Sequence, residues 1–182
     1  TMAVLACGTM GTAILSGVLD FQLSMENGHI SKDVAATSHH GESFERVPLP
    51  KKYIATVGRD STAKRLASTF SEAGHSNVEV FQQRNVEAVR RSDIVLLCTK
   101  PQRVSEFMSE PGMKEALENK ILVSIAAGTT INTIQKVVPP STKVVRAMPN
   151  TPCRIREGMT VISDVTWLTH LERDLIATIF SA

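Results

Sequence analysis

Aromatic side chains are scarce in this chain: one Trp, one Tyr and six Phe make up 4% of its 182 residues. With so few stacking platforms, nucleic acid is not an expected partner. Neither sign of charge dominates, since 20 Lys and Arg face 18 Asp and Glu, so no polyanion or membrane surface is implied. Three cysteines, Cys7, Cys98 and Cys153, stand far apart without C-x-x-C spacing, a pattern that fits a reducing compartment. No apolar run reaches the length of a membrane span, no charged-then-apolar leader opens the chain, and there are no repeats or low-complexity tracts. The expectation is a cytoplasmic protein that handles small molecules, with no nucleic acid and no membrane.

What is present is an ordinary globular balance, 42% apolar and 21% charged, with room for one substantial core but not for two full domains. The chain opens on a short apolar strand that runs into a glycine-punctuated turn and then a helix. Here the dinucleotide fingerprint G-x-G-x-x-G stands as Ala6-Cys7-Gly8-Thr9-Met10-Gly11, with alanine in the first glycine position. Gly8 would let the backbone approach a pyrophosphate and Gly11 would let helix and strand pack closely. If the first position needs a positive φ, Ala6 carries strain there. Taken alone, the turn fits either a dinucleotide site or a plain strand-turn-helix.

Ile14, Leu15, Val18 and Leu19 continue a helical stripe that ends near Leu23. From about residue 25 to 52 the chain is polar and aperiodic, and reads as an insertion. Its His29, His39, His40 and Glu42 match no metal-ligand spacing, and no metal is expected. Tyr53 to Val57 is a second strand, followed by a helix carrying Ala63, Leu66, Ala67, Phe70 and Ala73 up to Gly74. An arginine at the end of this strand favours NADP and a carboxylate favours NAD. Arg59 comes first, with Lys64 and Arg65 one turn on, so NADP is favoured. Asp60 leaves NAD open as a ribose acceptor, or caps the helix before Ser61.

Val78 to Phe81, Asp93 to Thr99, Ile121 to Ala126, Lys143 to Ala147 and Met159 to Ser163 supply further strands, with helical stretches between them and a last amphipathic helix through Leu168, Leu171, Leu175 and Ile179. The alternation predicts an α/β, Rossmann-type doubly wound and mostly parallel sheet with helices on both faces, as one dinucleotide-binding domain over residues 1–182. Three strand ends are chemically notable. Thr99-Lys100-Pro101-Gln102 closes the central strand, Ala126-Ala127-Gly128 ends the next with minimal side chains, and Met148-Pro149-Asn150-Thr151-Pro152 forms a proline-bracketed loop after the sixth.

Together with the opening turn and the run Ser124 to Ile131, these segments resemble pyrroline-5-carboxylate reductase over nearly the whole chain except the insertion. The resemblance implies NADPH-dependent reduction of 1-pyrroline-5-carboxylate to L-proline, the last step of proline biosynthesis, with NADH as a possible alternative donor. Carried over by position, Ala6, Cys7, Gly8, Thr9, Met10 and Gly11 hold the pyrophosphate, Arg59 the 2′-phosphate and Asn85 the adenosine side. Thr99, Lys100 and Pro101 line the path to the nicotinamide, Ala126 and Ala127 flank its ring, and Asn150 shapes the pocket. No catalytic residue is assigned, because the family's substrate-side residues lie in a helical dimerisation domain that this sequence lacks. Leu175, Ile176, Ile179 and Phe180 are expected to face that domain. The full-length enzyme is expected to be a homo-oligomer, and the 182-residue piece a monomeric cofactor binder without turnover. The alternatives are a non-catalytic NADP-binding module and the Rossmann half of another small dehydrogenase, such as a hydroxyacid dehydrogenase or a flavin-analogue-dependent NADP reductase.

Overall fold

A computed structural model describes residues 1–27, 49–150, 152, 157–163 and 166–181. Most of the insertion, with its three histidines and Glu42, and Thr151 and Cys153 of the proline-rich loop therefore lie outside the described residues. Seven strands form one sheet: β1 (Met2–Leu5), β2 (Tyr53–Val57), β3 (Val78–Gln82), β4 (Ile94–Leu97), β5 (Ile121–Ser124), β6 (Lys143–Pro149) and β7 (Thr160–Ile162). Their spatial order is β3-β2-β1-β4-β5-β6-β7. The first six are parallel and β7 runs antiparallel to β6. The order reverses between β1 and β4, which makes their carboxyl ends the switch point where open α/β sheets hold ligands.

The central strands are uniformly buried because both faces of the sheet are covered, which explains their unbroken apolar sequences. One face packs under helices α1 (Thr9–Glu26), α2 (Asp60–Glu72) and α7 (His170–Ser181), through Leu15, Val18, Leu66, Phe70, Ile176 and Ile179. The other packs under α3 (Asn85–Arg90), α4 (Val104–Met108), α5 (Met113–Leu117) and α6 (Ile131–Gln135), through Val89, Phe107, Met113, Leu117 and Ile134.

Several boundaries differ from the sequence reading. The first helix runs on to Glu26, beyond Leu23, and Leu49 packs on the core. Met148 and Pro149 belong to a strand, since β7 pairs with them in the register Met148↔Val161 and Pro149↔Thr160. Asp60 is the first residue inside α2 and Arg59 occupies the capping position, so Asp60 is no cap. The face of α7 expected to await another domain is instead used here: Ile176 and Ile179 are buried, and Leu175 and Phe180 pack against the same core. Its start is fixed by a reciprocal cap. Thr169 Oγ1 accepts the Glu172 amide at 3.3 Å, while a Glu172 carboxylate oxygen accepts the Thr169 amide at 2.8 Å.

Candidate functional site: the carboxyl edge of the sheet

The turn after β1 is built by a backbone that alanine seldom adopts. Ala6 has φ +53°, the left-handed region in which a first glycine would be free of strain. Two bonds from β2 hold it there. The Ala6 amide donates to Thr56 Oγ1 at 3.3 Å and the Cys7 amide to the Thr56 carbonyl at 2.7 Å. Gly8 then starts α1 in extended geometry. A side chain on Gly8 would meet only the Ala6 carbonyl, at 3.8 Å, so the protein itself does not demand glycine there. The space in front of the turn is open.

Gly11 shows the opposite. A Cβ there would lie 3.0 Å from Cys98 Sγ and 3.2 Å from Val4 Cγ1, so its hydrogen is what lets α1 seat on β1 and β4. Helix geometry leaves the amides of Thr9, Met10 and Gly11 without intrahelical acceptors, no side chain caps them, and no acidic residue lies in this first turn. An open turn, free amides and the positive end of an 18-residue helix fit a bound pyrophosphate. The neighbouring thiols are packing groups. Burial pushes Cys7 up to about 11, against a weaker lowering by its Thr12 contact, and burial likewise holds Cys98 well above the ordinary thiol range.

The other strand ends gather along the same edge. Arg59, at the exit of β2, is exposed and makes no ion pair among the described residues, whereas Asp60 is taken by Lys64 at 2.8 Å. Asn85 opens α3 but its carboxamide is engaged at both ends: Oδ1 accepts from Thr56 Oγ1 at 2.7 Å, and Nδ2 donates to Glu110 Oε1 at 2.6 Å. Thr99, after β4, is buried, Lys100 is exposed, and Pro101 starts a 3-10 turn over Pro101–Arg103. After β5, the Ser124 hydroxyl accepts the Ala126 amide at 3.3 Å, Ala126 is buried and Ala127 exposed, and Gly128 takes a positive φ of 74°. Asn150, after β6, exchanges backbone and side-chain bonds with Met159: its amide donates to the Met159 carbonyl at 3.1 Å, and its Oδ1 accepts the Met159 amide at 2.9 Å.

The described residues assigned to the cofactor from the sequence thus share one edge of the sheet, although Cys7 and Thr99 are buried and the described bonds of Asn85 and Asn150 run to the protein. Thr56, Gln83 and Glu110 were not singled out. Thr56 carries a readable signal, a polar residue near the end of an otherwise apolar buried strand, but Gln83 and Glu110 carry none.

The first 128 residues match the model of a family described as NADP oxidoreductase, coenzyme F420-dependent. Among curated proteins, the chain is 37% identical to a pyrroline-5-carboxylate reductase of Schizosaccharomyces pombe, aligning 87% of this chain with 51% of that protein. A pyrroline-5-carboxylate reductase of Neurospora crassa is 38% identical, over 91% of this chain and 53% of its own length. The chain spans about half the length of these relatives. Among solved structures, pyrroline carboxylate reductase from Plasmodium falciparum with NADP bound superposes with a TM-score of 0.67 at 19% identity, over all of this chain and 54% of that one. A pyrroline-5-carboxylate reductase from Coxiella burnetii superposes with a TM-score of 0.72 at 21% identity, over 99% of this chain and 55% of that one. These two likenesses concern the fold.

Proposed function

Since the chain belongs to the NADP oxidoreductase family described as coenzyme F420-dependent, we propose that it is the NADP(H)-holding part of a pyrroline-5-carboxylate reductase, which reduces 1-pyrroline-5-carboxylate to L-proline in proline biosynthesis. The observation that carries this reading is the open Gly8 turn at the β1/β4 switch point, with exposed Arg59, which has no ion pair among the described residues, at the next strand end. The curated relatives supply the reaction; the family match alone ends before the Met148 to Pro152 segment that set the resemblance apart.

When bound, the reduced nicotinamide supplies hydride to the imine carbon. This chain's own residues bind and orient. The amides of Thr9, Met10 and Gly11 receive the pyrophosphate, and Arg59 pairs with the 2′-phosphate. Arg59 stands first at the β2 exit, with Lys64 and Arg65 one turn on, so NADPH is the preferred donor and NADH a usable one. Thr99, Lys100 and Pro101 line the approach to the nicotinamide, and the small Ala126 and Ala127 leave room for its ring. No residue here is assigned as proton donor: an imine that is already protonated needs alignment more than acid help. Lys100 therefore orients, and the thiol of Cys7, raised by burial, takes no part.

Residues 1–182 form one dinucleotide-binding unit in this reading. The reaction belongs to a longer polypeptide that is cytoplasmic and homo-oligomeric, with substrate-side residues in the length of its relatives that this chain does not span. Among the described residues, no helix is long and apolar enough to cross a membrane. Titrating NADPH into the 182-residue chain should give saturable binding, and adding 1-pyrroline-5-carboxylate should give no NADPH oxidation. A chain that binds no NADPH overturns the reading. One that turns over unaided overturns the division of labour.

A further inference from the structure

We infer that Gln83 is a positioning residue for coenzyme choice, locking the β2 exit so that Arg59 is presented to a 2′-phosphate; this rests on the NADP(H) reading above. Gln83 lies between β3 and α3 and has φ +49°, a conformation that residues with a side chain rarely adopt. The local geometry shows what holds it. Its backbone amide donates to the Val57 carbonyl at 3.0 Å, and its side-chain Nε2 donates to the Gly58 carbonyl at 3.1 Å. One residue thereby holds two consecutive carbonyls at the end of β2, immediately before Arg59.

Among the described residues, no other does so. A Cβ on Gly58 would find no atom within 4 Å, so packing does not restrain the turn, and the Gly58 carbonyl has no other hydrogen-bond donor among the described residues. Glycine is the residue with the greatest backbone freedom, so without the amide of Gln83 the peptide before Arg59 can rotate. Arg59 itself is exposed, and among the described residues no side-chain partner fixes its direction. Its aim is therefore set by its backbone, held on the α2 side by the Ala63 amide on the Arg59 carbonyl at 3.0 Å and on the β2 side by Gln83 through the Gly58 carbonyl. Left-handed φ and a side chain folded back onto the neighbouring strand act together: the first supplies the geometry that lets the second reach.

Gln83→Gly keeps the backbone conformation and removes the side-chain bond, and is the informative variant; Gln83→Glu puts a carboxylate against the Gly58 carbonyl. NADPH and NADH affinities are measured for the chain, for both variants and for Arg59→Ala, with thermal melting to confirm that each is folded. The expected result is an NADPH affinity about fivefold weaker in Gln83→Gly, the factor of one lost net hydrogen bond, a larger loss in Gln83→Glu, and NADH binding unchanged in both. If Arg59→Ala loses NADPH affinity while the Gln83 variants keep it, the positioning role is overturned and the coenzyme reading stands. If both coenzymes weaken equally, Gln83 is only structural and the inference is also overturned. If Arg59→Ala leaves NADPH binding unchanged, the coenzyme reading itself has failed.

Discussion

Thr56 and Asn85 meet through a hydroxyl that donates to a carboxamide oxygen at 2.7 Å, and the same hydroxyl oxygen accepts the amide of Ala6. A chain of bonds thus runs from Glu110 through Asn85 and Thr56 to the strained residue at the turn after β1. Thr56 is fully buried, so water does not substitute for a lost partner. Thr56→Val, which keeps the shape and removes the hydroxyl, should cost about 1–3 kcal/mol of stability and weaken NADPH binding. Urea unfolding and a coenzyme titration check both.

Ala6 poses a balance of small terms. Its left-handed φ costs roughly 1–2 kcal/mol, but glycine there would gain freedom in the unfolded chain worth about 0.4–1 kcal/mol. Its methyl also packs against the buried cluster that contains Ile54, Phe81 and Val89. Ala6→Gly should therefore leave stability within about 1 kcal/mol of the parent, with NADPH affinity retained. Ala6→Val should be clearly worse on both measures, because a β-branched residue does not tolerate this φ.

Gly11→Ala places a methyl against Cys98 and Val4, at contacts of 3.0 to 3.2 Å that both partners must yield to. Because Val4 and Cys98 belong to or adjoin central strands, the helix has to lift, and overpacking of this kind costs about 1–3 kcal/mol. Denaturant midpoints would register the loss. Gly8→Ala should leave the midpoint almost unchanged and weaken NADPH binding, since its Cβ meets no protein atom closer than 3.8 Å.

Glu172 ties α7 to β6. Burial pushes its carboxyl up, but the Lys143 ammonium at 2.6 Å and the amide and hydroxyl of Thr169 outweigh this and leave it below its ordinary range. A carboxyl lowered by folding stabilises the folded state above its unfolded pKa, and that contribution is lost as pH falls from about 4.3 through the lower folded value. The parent should lose stability in this acid window, and Glu172→Gln should lose less there while being about 1 kcal/mol weaker at neutral pH. Melting temperatures across pH 3 to 7 compare the two.

The alternation of strands and helices was legible because a sheet covered on both faces needs long apolar runs, and Val95, Leu96 and Val123 are such residues. The edge on which the site gathers followed from the same pattern. Met148 and Pro149 hid their strand because a proline ends it and a second follows at Pro152, a pattern that reads as a loop, whereas here they pair with the antiparallel border strand β7. The helix after Thr169 had a readable signature in Thr169-His170-Leu171-Glu172 that the apolar spacing alone passed over. The inward turn of Asn85 had none, because it depends on Glu110, which lies 25 residues away and meets it only once α3 and the end of α4 are in place.

The most direct test of the account compares NADPH and NADH binding to the parent chain and to Arg59→Glu. With Arg59 facing a 2′-phosphate, the charge reversal should weaken NADPH by about tenfold or more and leave NADH unchanged or slightly improved. Equal NADPH affinity in the parent and the variant would contradict the assignment of this edge as an NADP(H) site.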